Sequence, residues 1–274
     1  MNTQPVGYKA KGFEARNLAI FFLIALGVPI LLGILAFFGL LKSPRGLNDS
    51  FIIPWVLLVL LGPSGAAFIV TGLTEGKPGV RTLWRRFWNR NVSLKWLLVA
   101  LLLLPILRLT AGVLIQVLNH PSHPLLIEGS ISEVLIVPIL LGLFSGIQEE
   151  FGWRGYALPR FQAKWNALVS TIILGLVTAL WHLPAFFMPG QPLSGRSFWE
   201  WLPWWMLIQV VGFTWIFNNT NGNVLAMVLF HATTELSLFA VDYTYFGILL
   251  VAAILIVVIF GANNMVRKKP AEGT

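Results

Sequence analysis

The residues of this sequence that could do chemistry are a few ionisable side chains set inside long apolar runs. The densest group stands in Ser145–Gly155, which directly follows the apolar run from Val134 to Phe144. It contributes Glu149, Glu150 and Arg154. Charged groups in hydrocarbon are costly, and those that occur there usually mark a reaction centre or an ion path. This stretch is therefore the first candidate for a functional site.

The spacing within the group separates the two carboxylates. Glu150 and Arg154 are four positions apart and share one face of a helix, which favours an ion pair. Glu149 points about 100° away, because a helix has roughly 3.6 residues per turn. The pattern predicts that Glu150 is neutralised by the arginine while Glu149 stays available for catalysis.

Two later apolar runs each carry a histidine with a polar residue four positions away. His182 shares a helical face with Thr178, and His231 shares one with Glu235. A carboxylate beside imidazoles in a dry pocket can act as a general base on water, with the histidines stabilising the developing oxyanion. These residue types predict a hydrolytic reaction.

The same residue types could instead bind a divalent metal such as zinc, which would activate the water. The predicted ligand set is then Glu149, His182, His231 and Glu235. Cysteine is absent, which excludes thiolate ligands, disulfides and a cysteine nucleophile. The residues alone leave the base-catalysed and metal-assisted mechanisms open.

The composition places these groups in a membrane protein. The 274 residues are 57% hydrophobic and only 11% charged, whereas soluble domains carry about 25% charged residues. Lys and Arg exceed Asp and Glu by 19 to 11. In such a chain this excess indicates cytoplasmic loops with the positive-inside bias rather than nucleic-acid binding.

The apolar runs predict the architecture, since a spanning helix needs about 20 residues. We expect an all-α polytopic membrane protein with about eight transmembrane helices, forming a single domain over residues 1–274 with a site-bearing core at 130–240. The predicted spans are 18–41, 51–73, 94–118, 132–153, 167–187, 199–217, 223–241 and 244–262.

Charge and aromatic patterns orient these spans. Lys and Arg concentrate at both termini and in the second and fourth connections, so both termini should be cytoplasmic. No targeting signal is apparent, which favours a bacterial cell membrane. Residues 80–90 have one apolar face and four arginines, which predicts an interfacial amphipathic helix on an anionic leaflet. The tryptophans at 199, 201, 204 and 205 predict an aromatic belt, with a ligand-binding cage as the alternative.

The motif order resembles a known family. Glu149-Glu150-x-x-x-Arg154, then His182 in Leu180–Pro184, then Phe230-His231 resembles the CPBP intramembrane proteases. That family includes the type II CAAX prenyl endopeptidases and bacterial proteins linked to bacteriocin processing or self-immunity. The resemblance covers the fourth to seventh spans and implies an eight-helix fold acting on peptide or protein substrates, including lipid-modified ones.

The resemblance also implies roles for the residues. Glu149 would activate water with His182 as its partner, His231 would lie on the oxyanion side, and Glu150 with Arg154 would support the site. Thr178 replaces the usual Phe, and Glu235 replaces the usual Asn or Asp. A charged glutamate would repel an oxyanion, so Glu235 must be protonated, paired or used as a metal ligand.

The predicted spans place these groups at unequal depths. His231 and Glu149 should lie at similar levels, roughly 12 Å into the membrane, and His182 roughly 20 Å deep if its helix begins at residue 167. Either that helix begins later, with residues 155–166 along the interface, or tilting of the helices brings the groups together.

The function predicted is an intramembrane endopeptidase that cuts a peptide bond near the cytoplasmic side. The alternative is a non-catalytic membrane immunity or partner protein that keeps the pocket as a binding site. A proton-coupled carrier is a third hypothesis, since carboxylates and histidines also form proton relays. The sequence shows no inverted repeat to support a carrier.

Overall fold

Apolar helices make up the fold. The computed structural model describes residues 14–38, 40, 61–89, 91–118, 130–187, 193–238 and 243–266. Within these residues every regular element is helical, which confirms the predicted all-α polytopic membrane class. Five helical segments are long and apolar enough to cross a membrane: Ala15–Leu35, Leu94–Val117, Ser132–Gln162, Ala167–Phe186 and Tyr243–Phe260.

The described residues form eight helical segments. They are α1 (Ala15–Phe37), α2 (Pro63–Arg85), α3 (Leu94–Val117), α4, α5 (Ala167–His182, extended by the 3-10 turn Leu183–Phe186), α6, α7 (Val224–Leu238) and α8 (Tyr243–Phe260). α4 joins a π turn (Ser132–Ile136), an α-helix (Val137–Gly152), a second π turn (Trp153–Ala157) and the α-helix Leu158–Gln162. α6 joins Phe198–Ile208, a π turn (Gln209–Thr214) and Trp215–Asn219.

α2 combines the end of the predicted second span with the predicted amphipathic segment. Residues 51–60 of that span lie outside the described residues. A left-handed backbone at Gly76 (φ 64°) breaks the helix, in a conformation that glycine adopts without steric cost. Beyond the break Leu83 is buried while Arg81 and Arg85 are exposed, so the segment is amphipathic as predicted.

α4 continues well past the predicted end at residue 153, to Gln162. The extension is buried, and Trp153 and Phe161 pack on the rings of Phe21 and Phe22 of α1, with centroids 5.8 Å apart in each pair. Burial of these aromatic groups stabilises the additional helical turns, which the polar residues of this segment would not stabilise by themselves.

The length of α4 also brings Glu149 level with His182 of α5. Glu149 precedes the end of α4 by thirteen residues, and His182 follows the start of α5 by fifteen. At about 1.5 Å per residue both lie roughly 20 Å from the short connection at 163–166. The alternative in which α5 begins later is therefore wrong, because it begins at Ala167.

Small residues bring α4 and α7 into close contact. A Cβ added to Gly142 would lie 2.6 Å from Cα of Ala232, and one added to Gly146 would lie 3.1 Å from Cα of Val228. Small residues allow such close backbone approach between membrane helices. The two helices run antiparallel here, so this contact places His231 of α7 beside Glu149 and Glu150 of α4.

We expect Gly142→Ala to destabilise the protein by about 1–3 kcal/mol, the usual cost of overpacking a close contact. Thermal unfolding in one detergent, followed by tryptophan fluorescence, measures the change. Gly27→Ala is the matched control, because a Cβ at Gly27 meets nothing within 4 Å. Equal melting temperatures for the two variants would contradict the proposed role of this contact.

Candidate active site

Glu150 is the centre of a buried hydrogen-bond network. Its side chain is fully buried, and its Oε1 atom accepts hydrogen bonds from Nη1 of Arg154 at 3.0 Å and Nδ1 of His231 at 2.7 Å. The ion pair predicted from the four-residue spacing is confirmed. Charge-assisted bonds of this kind are stronger than neutral ones. One carboxylate oxygen thereby joins α4 to α7.

Glu149 has a different environment although it is the adjacent residue. It is 3% exposed, and its Oε2 atom accepts a hydrogen bond from Nε1 of Trp153 at 3.1 Å. Its Oε1 atom lies 3.8 Å from Nε2 of His231. That separation is too long for a direct hydrogen bond, and polar groups so spaced are commonly bridged by water. Oε2 of Glu149 is thus bonded to Trp153, whereas Oε1 makes no direct hydrogen bond to His231.

Arg154 is held from two further directions by α6. Its Nη2 donates to Oε1 of Gln209, and its guanidinium lies 3.6 Å from the ring centroid of Phe213. All three side chains are buried. Cation–π contacts gain strength when they are desolvated. α6 therefore fixes the guanidinium that in turn fixes Glu150.

His182 ends the α-helical part of α5. Its Nδ1 atom donates to the backbone carbonyl of Thr178 at 2.8 Å. Indole rings surround the imidazole, with centroid distances of 4.8 Å to Trp181, 5.4 Å to Trp201 and 4.8 Å to Trp205. No hydrogen bond joins His182 to Glu149 in the described part of the chain.

The aromatic-belt prediction is wrong for two of its four tryptophans. Trp201 and Trp205 are buried against His182, whereas Trp199 is exposed. Four-residue spacing puts Trp201 and Trp205 on the helix face that meets α5, and this tertiary contact could not be read from composition. The side chains of Trp201 and Trp205 pack inside the protein around His182 rather than facing lipid.

Glu235 lies one helical turn beyond His231 on α7 and is half-buried. Its Cγ atom packs against α4, 3.0 Å from the position of a Cβ on Gly142. Within the described residues its carboxyl group makes no hydrogen bond or ion pair. The adjacent Leu236 carbonyl accepts a hydrogen bond from Arg108 of α3.

Among the described residues, Glu149, Glu150 and His231 form a group in which each can offer one atom within 4.8 Å of the others. In the described chain, His182 and Glu235 lie outside this group. Carboxylate and imidazole are acceptable zinc ligands. However, Glu150 already accepts bonds from Arg154 and His231, so a bound cation would lie next to a guanidinium. Such a cation would compete with Arg154 and His231 for the Glu150 carboxylate.

The fold and the site define a polytopic helical membrane protein with a buried carboxylate–histidine centre. Residues 131–237 match the family described as type II CAAX prenyl endopeptidase Rce1-like. A relative named CAAX prenyl protease 2, from Methanococcus maripaludis, is 27% identical over an alignment of 197 residues that covers 66% of this chain and 71% of the relative. These matches confirm the resemblance predicted from the motifs. Both matches support a protease of the CAAX prenyl endopeptidase type.

Sequence reasoning missed several side chains that contact the predicted site. Trp153 carried a usable signal, because it follows Glu149 by four positions as Arg154 follows Glu150. Gln209 was also recognisable as a lone amide in an apolar run. Phe213 and Trp205 carried none, since an aromatic residue in a membrane helix is ordinarily taken for a packing residue.

We expect Arg154→Met to lower the free energy of unfolding by about 3–5 kcal/mol, because it leaves the buried Glu150 carboxylate without its cation. A Glu150→Gln, Arg154→Met double variant should recover much of this loss. Thermal unfolding measured by tryptophan fluorescence reports both, and Arg81→Met serves as an exposed control. An Arg154→Met protein that melts with the wild type would show that the pair is not stabilising.

Proposed function

We propose that this protein is an intramembrane endopeptidase in which Glu149 activates a water molecule for attack on a peptide bond. The observation that carries the proposal is the unequal environment of the paired carboxylates. Glu150 is neutralised by Arg154, while Oε1 of Glu149 faces Nε2 of His231 across 3.8 Å. A base next to a hydrogen-bonding imidazole suits general base catalysis.

In the proposed reaction Glu149 takes a proton from water while the water oxygen attacks the carbonyl carbon. The peptide C–N bond then breaks, and the proton passes to the departing amine nitrogen. His231 donates from Nδ1 to Glu150, and its Nε2 faces Glu149. As the imidazolium, in which both nitrogens carry a hydrogen, it stabilises the developing oxyanion from Nε2. His182 assists from the α5 side. Glu150 and Arg154 keep the histidine in place.

Glu235 stands at a position where the family that this chain resembles usually has Asn or Asp. Its surroundings favour one of the three states considered for its carboxyl group. It has no ion-pair partner among the described residues and lies outside the close Glu149, Glu150 and His231 group. We therefore propose that it acts as a neutral carboxylic acid. A buried carboxyl kept neutral can donate a hydrogen bond and would not repel an oxyanion.

The substrate is proposed to be a peptide or protein that carries a lipid modification near the cleaved bond. The family match and the name of the archaeal relative support this class of substrate. We further propose that residues 130–240 form the site-bearing core of a single domain, that both termini are cytoplasmic, and that cleavage occurs near that face. The distribution of Lys and Arg supports the orientation. The bacterial cell membrane stays a prediction.

The amphipathic part of α2 is proposed to lie on the anionic leaflet. Lys77, Arg81 and Arg85 are exposed, and so are the indoles of Trp84 and Trp88. Cations attract anionic headgroups, and tryptophan favours the level of the membrane interface. Membrane lipids are therefore proposed partners of this segment.

We expect Glu149→Gln to lower kcat for peptide cleavage by about 100- to 10,000-fold, the usual contribution of a general base. The measurement uses purified protein in lipid nanodiscs with quenched fluorescent peptides, with and without a C-terminal prenyl group. Glu133→Gln is the matched control, because Glu133 is an exposed carboxylate at the start of the same helix.

Undiminished cleavage by Glu149→Gln would exclude Glu149 as the base. The non-catalytic alternative predicts a different outcome. In that case the wild type cleaves no peptide, and a Glu149→Ala, His231→Ala double variant keeps the cellular phenotype.

We expect the enzyme to be independent of metal, since Arg154 bound to Glu150 opposes a cation at this position. Elemental analysis of the purified protein should find less than one equivalent of zinc, and a strong chelator should leave the cleavage rate unchanged. Stoichiometric zinc, with activity lost on chelation and restored by zinc, would establish the metal-assisted mechanism instead.

A further inference from the structure

We infer that Thr178 and Trp205 are positioning residues that hold the His182 imidazole in one tautomer and one orientation. Thr178 belongs to α5 and Trp205 to α6, and both side chains are buried. This role deepens the proposed function and rests on it, because His182 is part of the proposed site.

The backbone of Thr178 selects the tautomer of His182. Nδ1 of His182 lies 2.8 Å from the Thr178 carbonyl oxygen. A carbonyl oxygen only accepts hydrogen bonds, so Nδ1 must carry the hydrogen. In neutral imidazole the lone pair then belongs to Nε2. His182 is therefore prepared to accept a proton or a hydrogen bond through Nε2.

The side chain of Thr178 ties α6 to the same helical turn. Its hydroxyl donates to the Gly175 carbonyl at 3.0 Å and accepts a hydrogen bond from Nε1 of Trp205 at 3.0 Å. The Trp205 ring packs on His182 at 4.8 Å, and Trp201 stacks behind it at 5.1 Å. The hydroxyl thus fixes the indole that confines the imidazole.

The Thr178 hydroxyl makes one hydrogen bond more than a threonine needs within its own helix. Threonine in a membrane helix ordinarily bonds only a carbonyl of its own helix, as Thr171 does with Ala167 at 2.7 Å. Thr178 makes such a bond and also receives the Trp205 N–H. The additional bond fixes one of the three indole rings that surround the His182 imidazole.

The same face of α6 also contacts Arg154 and lies close to His231. Trp201, Trp205, Gln209 and Phe213 recur every four residues. The first pair contacts His182 and the second pair contacts Arg154. Because Phe213 also lies 5.8 Å from the His231 ring, α6 sets the placement of one histidine relative to the other.

The first test determines which imidazole nitrogen of His182 carries the proton. It uses nitrogen NMR of protein labelled with ¹⁵N-histidine in lipid bilayers. The sequence has four histidines, and substituting His120 and His123 by Gln leaves two, of which His182→Gln identifies one. We expect wild-type His182 to show a single neutral species protonated at Nδ1. Thr178→Val and Trp205→Phe should give mixed or broadened signals. An Nε2-protonated wild type, or variant spectra identical to wild type, would overturn the assignment.

The second test is a kinetic double-mutant cycle. Thr178→Val and Trp205→Phe should each lower kcat about fivefold with little change in KM, the scale of one neutral hydrogen bond. The double variant should lose no more than a single one, because both changes remove the same bond. Thr178→Ser keeps the hydroxyl and should retain most of the rate, which also controls for folding.

Two matched controls separate positioning from general packing. Thr171→Val removes a buried hydroxyl from α5, and Trp204→Phe removes an indole N–H from the α6 face that packs on Tyr245 and Phe246. Multiplicative losses in the cycle, or equal losses in the controls, would overturn the assignment. If the NMR result holds while Glu149→Gln stays active, the proposed base fails and the positioning role stands. If the spectra do not respond while Glu149→Gln is inactive, only the positioning role fails.

Discussion

One buried oxygen, Oε1 of Glu150, accepts hydrogen bonds from both Arg154 and His231, and the rest of the site depends on it. Arg154 belongs to α4 and His231 to α7, while Gln209 and Phe213 of α6 hold the far side of the guanidinium. Electrostatic bonds are strong where water is excluded, and unpaired buried charges are correspondingly costly. The network therefore favours one arrangement of the three helices.

That arrangement is possible because the backbones can approach closely. Gly142 and Gly146 remove the side chains that would otherwise separate α4 from α7, and His231 then reaches the carboxylates. The length of α4 matters as well, because its extension to Gln162 places Glu149 at the level of His182. Helix packing and helix length act together to place groups that are far apart in the chain.

Much of the fold was predictable because a bilayer imposes simple requirements on a chain. Spanning helices must be apolar over about 20 residues, so hydropathy locates them well. The segments around Leu94, Ala167 and Tyr243 begin within a residue of their predicted starts. The end of α4 was not predictable in this way, because aromatic packing on α1 extends the helix where the polar residues suggest that it stops.

The sequence by itself determined the class of protein, the positions of most of its described helical segments and the Glu150–Arg154 pair. All of these follow from composition or from spacing within one helix, where geometry is set by the residue number. Only the tertiary structure decided that Glu150 binds His231, that Gln209 and Phe213 hold Arg154, and that Trp201 and Trp205 enclose His182. These contacts join different helices. Which residues meet depends on how the helices pack and what they bury, and the spacing of residues within one helix does not determine that.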